Sequence, residues 1–476
     1  MQPSPEQGAV ISADFDILVV EAYAGTGKTS TLKEFCRNKS GSRIGYFVYN
    51  GTMKDGARIS FSSVPGVEVD SFHGYAYHEI GYRFKERLEI DLTASYLLSF
   101  VEDIVSEENS FLYASALLDL LKEFASSMDT MGDFLRHKRR EKAEWSARKQ
   151  VPLLALLPLL EDAWNTVIHD ESYPMDHDFY LKLFQLSKPV LEYDYILVDE
   201  AQDISPCMID IILRQRSHAR LMFVGDSFQS IYSWRGAVNS LEYINKNTVC
   251  ETLHLTQSFR CPPSVALLAD RVIQHNGAKK RFVGTAREEG SIDPVKTYIA
   301  RNNSTLFDFC VEHIDERIHF VGGVNKYGLG AILDTKYLQL RRHEFIKDPF
   351  IRSFSTFKDL VNHAAKTDDV SLRALTGVLF KYADDDIFDL VRTIRENAVT
   401  ETASAQKRVV TAHKCKGLEW DCVVLLDDFP FGKERKMKRL TSVQLKEEYN
   451  LLYVAMTRAK RYLELPESLQ DHISEM

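Results

Sequence analysis

Asp16-Ile17-Leu18-Val19-Val20-Glu21-Ala22-Tyr23-Ala24-Gly25-Thr26-Gly27-Lys28-Thr29-Ser30 decides the fold. Its first half, Asp16 to Ala22, is a short run rich in β-branched residues, as expected of a buried parallel strand. A Gly/Thr loop follows, and Ser30 to Cys36 has helical character. At such a strand-to-helix junction, backbone amides and the helix N-terminus can cradle phosphates. The loop Ala24-Gly25-Thr26-Gly27-Lys28-Thr29-Ser30 would then hold a nucleoside triphosphate. Lys28 would neutralise the β- and γ-phosphates, and the Thr29 hydroxyl would ligate Mg²⁺. The strict pattern has glycine at its first position, where this chain has Ala22; the core Gly25-Thr26-Gly27-Lys28-Thr29 is intact.

Working outward, the apolar runs Ile44–Val48, Tyr195–Val198, Leu221–Val224, Arg408–Thr411 and Cys422–Leu426 read as further strands. Residues from about 80 to 185 read mostly helical. Strands alternating with helices imply parallel α/β sheets. A chain of 476 residues exceeds one compact core, so roughly two to four domains are expected. Hydrophobic content of 45% with 27% charged residues indicates a soluble globular chain. A net charge of −9 argues against a general polyanion-coating surface, so any nucleic-acid site should be a local groove. No stretch is long and apolar enough to span a membrane, and Met1 to Val10 lacks the pattern of a signal peptide. The 7 cysteines form no C-x-x-C pair, which suits a reducing compartment and excludes a zinc ribbon or an iron–sulfur cluster.

Asp199-Glu200 follows the strand Tyr195–Val198 and is followed by Ala201-Gln202-Asp203. A carboxylate at a strand end, Asp199, can hold Mg²⁺, and its neighbour Glu200 can polarise an attacking water. In Val224-Gly225-Asp226-Ser227-Phe228-Gln229-Ser230-Ile231-Tyr232-Ser233-Trp234-Arg235-Gly236-Ala237, a strand breaks at Gly225-Asp226. The Gln229 amide both donates and accepts, so it can sense a γ-phosphate. Trp234 can stack on any base, and Arg235 can grip the adjoining phosphate. Arg260 and Arg458 are candidates for the positive charge that phosphoryl transfer needs. His413, after the strand Arg408–Thr411, reads better as a phosphate or base contact than as a catalytic histidine.

In this order the segments resemble the UvrD/Rep branch of the superfamily 1 helicases, from Gln7 to Lys460. The resemblance implies that Gln7 reads adenine, Phe259 stacks on it and Glu419 binds the ribose. Arg260 and Arg458 would touch the γ-phosphate. Asn50 lies in the counterpart of the family's first strand-binding motif. Phe72, His73, Tyr232, Trp234, Arg235 and His413 would line a single-strand groove, and Arg301-Asn302 matches a further motif. A closer likeness, carried by Phe179 to Pro189, His413 to Trp420, Leu426 to Phe429 and Asn450 to Ala455, is to the F-box DNA helicases. No residues precede Met1 that could form an F-box, so the resemblance does not imply ubiquitin-ligase assembly.

The expected architecture is α/β: two RecA-like parallel-sheet motor domains, each with a mostly helical insertion, and ATP in the cleft between them. The first motor domain would comprise residues 1–79 and 186–255, with its insertion at 80–185. The second would comprise 256–340 and 406–476, with a short insertion at 341–405. The resemblance implies an ATP- and Mg²⁺-dependent translocase on single-stranded DNA and at single/double-strand junctions, with 3′-to-5′ polarity and a role in repair or recombination. An ATP-gated DNA clamp, or a protein-displacing translocase with little unwinding, is the alternative. A monomer is expected, in the cytoplasm of a prokaryote or phage or in a eukaryotic nucleus. The basic clusters Arg136 to Lys142 and Lys433 to Arg439 read either as duplex-phosphate contacts or as solvated surface.

Overall fold

The computed structural model describes the chain except residues 1, 50, 232–238, 287–291, 367–369, 434–436 and 439. Two units emerge, Met1–Thr256 and Gln257–Met476.

The first unit is built on six strands: β1 (Ile17–Ala22), β2 (Ile44–Val48), β3 (Val67–Ser71), β4 (Tyr195–Val198), β5 (Arg220–Gly225) and β6 (Glu251–Leu255). All are parallel, in the order β3-β2-β4-β5-β1-β6. Alternation along β1 sends side chains to two cores. Ile17 and Val19 join one cluster, shared with the helices that fill 81–186. Leu18, Val20 and Ala22 join the other, beneath helix α1 (Pro5–Ile11) and helix α2 (Lys28–Asn38). Burial on both faces explains why the central strands are almost wholly apolar. The leucine-rich run around Leu157 forms part of helix Leu153–His169, with Leu153, Leu156, Leu157 and Leu160 buried. Among the described residues no single helix is long and apolar enough to cross a membrane.

The second unit begins with a short pair, β7 (Gln257–Ser258) and β8 (Val283–Gly284). Its main sheet comprises β9 (Thr297–Ala300), β10 (Ile318–Phe320), β11 (Ala398–Val399), β12 (Lys407–Thr411), β13 (Trp420–Leu425) and β14 (Ala459–Glu464). These are also parallel, in the order β11-β10-β12-β9-β13-β14. The α/β class with two parallel sheets is therefore as expected. A helix also precedes residue 341, where the sequence reading starts the short insertion. Helix Leu329–Gln339 already packs on helices Val370–Lys381 and Ile387–Glu396, because Leu329 and Ile332 share a core with Val378, Ile387 and Val391.

Candidate active site

In an open parallel sheet, ligands bind at the carboxyl ends of the strands. β1 ends there in the Ala22–Lys28 loop. Gly25 and Gly27 have φ of 71° and 77°, a left-handed conformation that side chains with a Cβ disfavour. These turns bring the chain to α2 with its N-terminal amides uncapped by any side chain. Thr26 Oγ1 donates to Tyr23 O at 2.9 Å and closes the loop on itself. Gln7 Nε2 donates to Thr26 O at 3.2 Å, so the predicted adenine reader is fastened to the phosphate loop. The same Gln7 forms a capping box with Ser4 at the start of α1. Glu6 accepts from Thr256 N and Oγ1 at 2.7 and 2.8 Å, tying α1 to the end of β6. Thr29 and Ser30 are exposed on the first turn of α2.

Lys28 Nζ lies 3.4 Å from Ala22 O and 3.8 Å from Glu200 Oε1. Asp199, at the end of β4, accepts from Tyr46 Oη at 2.6 Å and from Glu200 N at 2.9 Å. Burial, with Glu200 adjacent, pushes the Asp199 carboxyl above its ordinary pKa; the Tyr46 bond and Lys28 oppose this. Two adjoining carboxylates beside a lysine fit a hard cation and a triphosphate, since both carboxylates would gain from added positive charge.

From Glu200 a chain of bonds runs to Gln229. Glu200 sits at φ 51° and accepts from Gln202 Nε2 at 2.6 Å. Gln202 Oε1 accepts from Asp226 N at 3.0 Å. Asp226 Oδ2 accepts from Gln229 Nε2 at 2.7 Å. This approach is possible because residue 225 is glycine: a Cβ there would lie 2.2 Å from Gln202 Oε1. The Gln229 side chain is buried at the end of this chain. Sequence reasoning named Lys28, Asp199, Glu200 and Gln229, and the structure brings them together. It did not name Tyr46, Gln202 or Asp226 as site members. Only the position of Asp226 at a strand break hinted at its place.

The second unit gathers Arg260, Glu419 and Arg458. Arg260 Nε pairs with Glu419 Oε2 at 2.6 Å. Arg458 is 1% exposed, and its guanidinium donates to Val454 O, Leu418 O and Thr457 Oγ1 at 2.8, 3.2 and 3.1 Å. Burial, then the charge of Arg260, lowers its pKa from the ordinary range, but an arginine so lowered still carries its charge. The Phe259 ring is 40% exposed and free to offer a face. His413 is half-buried in the turn after β12. Arg301 grips Glu448 through Nε and Nη2 at 3.0 and 2.6 Å, and Asp428 accepts from the backbone of Arg301 and Asn302, each at 2.8 Å.

Of the expected strand contacts, Asn50, Tyr232, Trp234 and Arg235 lie outside the described residues. His73 is half-buried, with Nε2 2.8 Å from Asp178 Oδ1. Phe72 needs correction as a groove residue. It is 2% exposed and packs on Phe47 with ring centroids 5.3 Å apart, because β3 ends by turning it into the core. Phe72→Ala should therefore cost about 3–5 kcal/mol of stability in the first unit, read by chemical denaturation. Weakened DNA binding at unchanged stability would contradict the core placement. In the first basic cluster Arg136 pairs with Asp133, and Lys138 lies 2.8 and 2.9 Å from Glu123 and Glu141; in the second, Lys433 lies 2.8 Å from Asp427.

Two family models match the chain. The UvrD/REP helicase N-terminal domain matches residues 183–247, and the UvrD-like helicase C-terminal domain matches 354–468. Among similar curated proteins, F-box DNA helicase 1 of Gallus gallus is 30% identical over 493 residues, covering 95% of this chain and 48% of that protein. F-box DNA helicase protein 1 of Schizosaccharomyces pombe is 29% identical over 501 residues, covering 95% and 56%. ATP-dependent DNA helicase PcrA of Staphylococcus epidermidis is 29% identical over 225 residues, covering 42% and 30%. The chain thus spans about half the length of the F-box relatives it matches. It carries UvrD-like helicase domains in both units, the N-terminal one in the first and the C-terminal one in the second, consistent with two RecA-like motor domains.

Proposed function

We propose that this chain is an ATP-dependent translocase on single-stranded DNA that unwinds duplexes in the 3′-to-5′ direction. The observation that carries this reading is the unbroken chain Lys28–Glu200–Gln202–Asp226–Gln229. It leads from the phosphate loop to the segment that also contains Tyr232, Trp234 and Arg235. Lys28 and the amides at the start of α2 would hold the phosphates, and Thr29 and Asp199 would hold Mg²⁺. When bound, that ion would neutralise charge on the phosphates. Glu200 would orient the attacking water and take its proton. Gln229, anchored by Asp226, would report whether the γ-phosphate is present. Phe259, Arg260, Glu419 and Arg458 are the second unit's proposed nucleotide contacts, and His413 its proposed strand contact. Base stacking is worth roughly 1–3 kcal/mol per base, enough to hold a strand and weak enough to release it in each cycle.

Polarity tests the reading. A duplex with a 3′ single-stranded tail should be opened with ATP, and one with only a 5′ tail should stay closed in a strand-displacement assay. Preferential opening of the 5′-tailed duplex would overturn the polarity. Opening of neither, with an ATPase that plateaus at one short DNA length, would favour an ATP-gated clamp.

A further inference from the structure

The strand β1 carries one residue out of keeping with its neighbours. Five of its six residues, Ile17, Leu18, Val19, Val20 and Ala22, are apolar and buried; the other is Glu21. A largely buried ionisable group near the carboxyl end of a parallel strand costs stability that a valine would not. The register places Glu21 between Gly225 on β5 and His254 on β6. By alternation it faces away from α2, on the side of Ile17 and Val19.

On that side Glu21 holds one residue twice. Ser227 Oγ donates to Glu21 Oε1 at 2.8 Å, and Ser227 N lies 3.4 Å from Oε2. Asn239 Nδ2 in turn lies 3.4 Å from Ser227 O, and Asn239 caps helix Ser240–Asn247 by accepting from Glu242 N at 3.3 Å. Ser240 Oγ donates to Ala201 O, beside Glu200. Ser227 and Asn239 thus flank the part of the sequence that contains Gln229, Tyr232, Trp234 and Arg235; Ser227 is fastened to the Glu21 carboxylate, and Asn239 is fastened to Ser227. Burial pushes that carboxyl up to about 7 against the opposing pull of the Ser227 hydroxyl, with Asp226 and Glu242 adding to the rise.

We propose that Glu21 is a positioning residue that couples the phosphate loop to the strand-contacting segment. One residue further along β1, Ala22 opens the phosphate loop, so the same strand end anchors both. The role of Glu21 is indirect: it holds Ser227, and Ser227 in turn meets Asn239. The proposal rests on the translocase reading and goes beyond it by naming the link.

The test compares wild type, Glu21→Ala, Glu21→Gln, Ser227→Ala and the Glu21→Ala/Ser227→Ala double variant. ATPase is measured without DNA and with a saturating oligothymidylate, and melting temperatures are recorded alongside. Glu21→Ala should keep the DNA-free rate and lose about tenfold in DNA-stimulated rate, the size expected for hydrogen bonds to a charged partner. Glu21→Gln, which keeps the length and one acceptor, should recover most of the stimulation. Ser227→Ala should lose stimulation too, and the double variant should be no worse than Glu21→Ala, because both substitutions cut one link. Full stimulation in both single alanine variants would overturn the proposal and leave the translocase reading standing. Equal loss of the DNA-free and stimulated rates would also overturn it, by making Glu21 part of the nucleotide site. A wild-type ATPase indifferent to DNA would overturn the translocase reading and this proposal with it.

Discussion

Lys28→Ala should lower ATP turnover by about two to three orders of magnitude, the typical cost of removing one preorganised positive or donor group from a developing charge. The ammonium stands at the first turn of α2, 3.8 Å from Glu200 and 3.4 Å from Ala22 O. Its positive charge faces the Asp199–Glu200 pair. Without it, bound phosphates would face two carboxylates with less opposing charge, so nucleotide binding should weaken together with turnover. The fold should survive, because the packing beneath the loop comes from Leu32, Phe35 and Cys36, which do not touch the change. Steady-state hydrolysis and far-UV dichroism together check this. A folded Lys28→Ala protein that hydrolyses ATP near the wild-type rate would remove the loop from the chemistry.

Glu200→Gln should behave in the opposite sense at the binding step. Turnover should fall by about two to four orders of magnitude, the range attributed to general acid–base catalysis. The amide keeps the side chain's length, and its oxygen can still accept from Gln202 Nε2, the 2.6 Å bond that starts the chain to Gln229. Lys28 loses its carboxylate partner, so its charge is released toward a bound phosphate. Nucleotide affinity should therefore be retained or increased while hydrolysis stalls, and single-strand binding in the presence of ATP should persist. Equilibrium binding of a fluorescent nucleotide beside single-turnover hydrolysis separates the two effects. Wild-type turnover would mean that another residue activates the water.

What could be read from the sequence was what is local. The strand–loop–helix at 16–36 and the acidic pair after Tyr195–Val198 are short-range patterns, and the structure brings them to one sheet edge. Short strands escaped. Val67–Ser71 alternates apolar and polar residues, and Ile318–Phe320 is only three residues long, so neither shows a clear apolar run. The misplacement of Phe72 has the same root. A residue at the junction of β3 and the following helix can face either way, and packing against Phe47 decides it. The links from Gln202 to Asp226, from Glu21 to Ser227 and from Arg260 to Glu419 join residues distant in sequence. The first two become legible only once parallel strands bring their ends side by side, and the third only once the second unit has folded.

The Arg260–Glu419 pair has a consequence for how the second unit waits. Both side chains are partly open to water, so their attraction is worth only about 0–1 kcal/mol. Such a contact is a poor brace but a good parking place. It biases a long guanidinium toward one orientation and sets a negative charge beside it. If Arg260 takes the anionic ligand proposed for it, that ligand would have little ion-pair energy to displace.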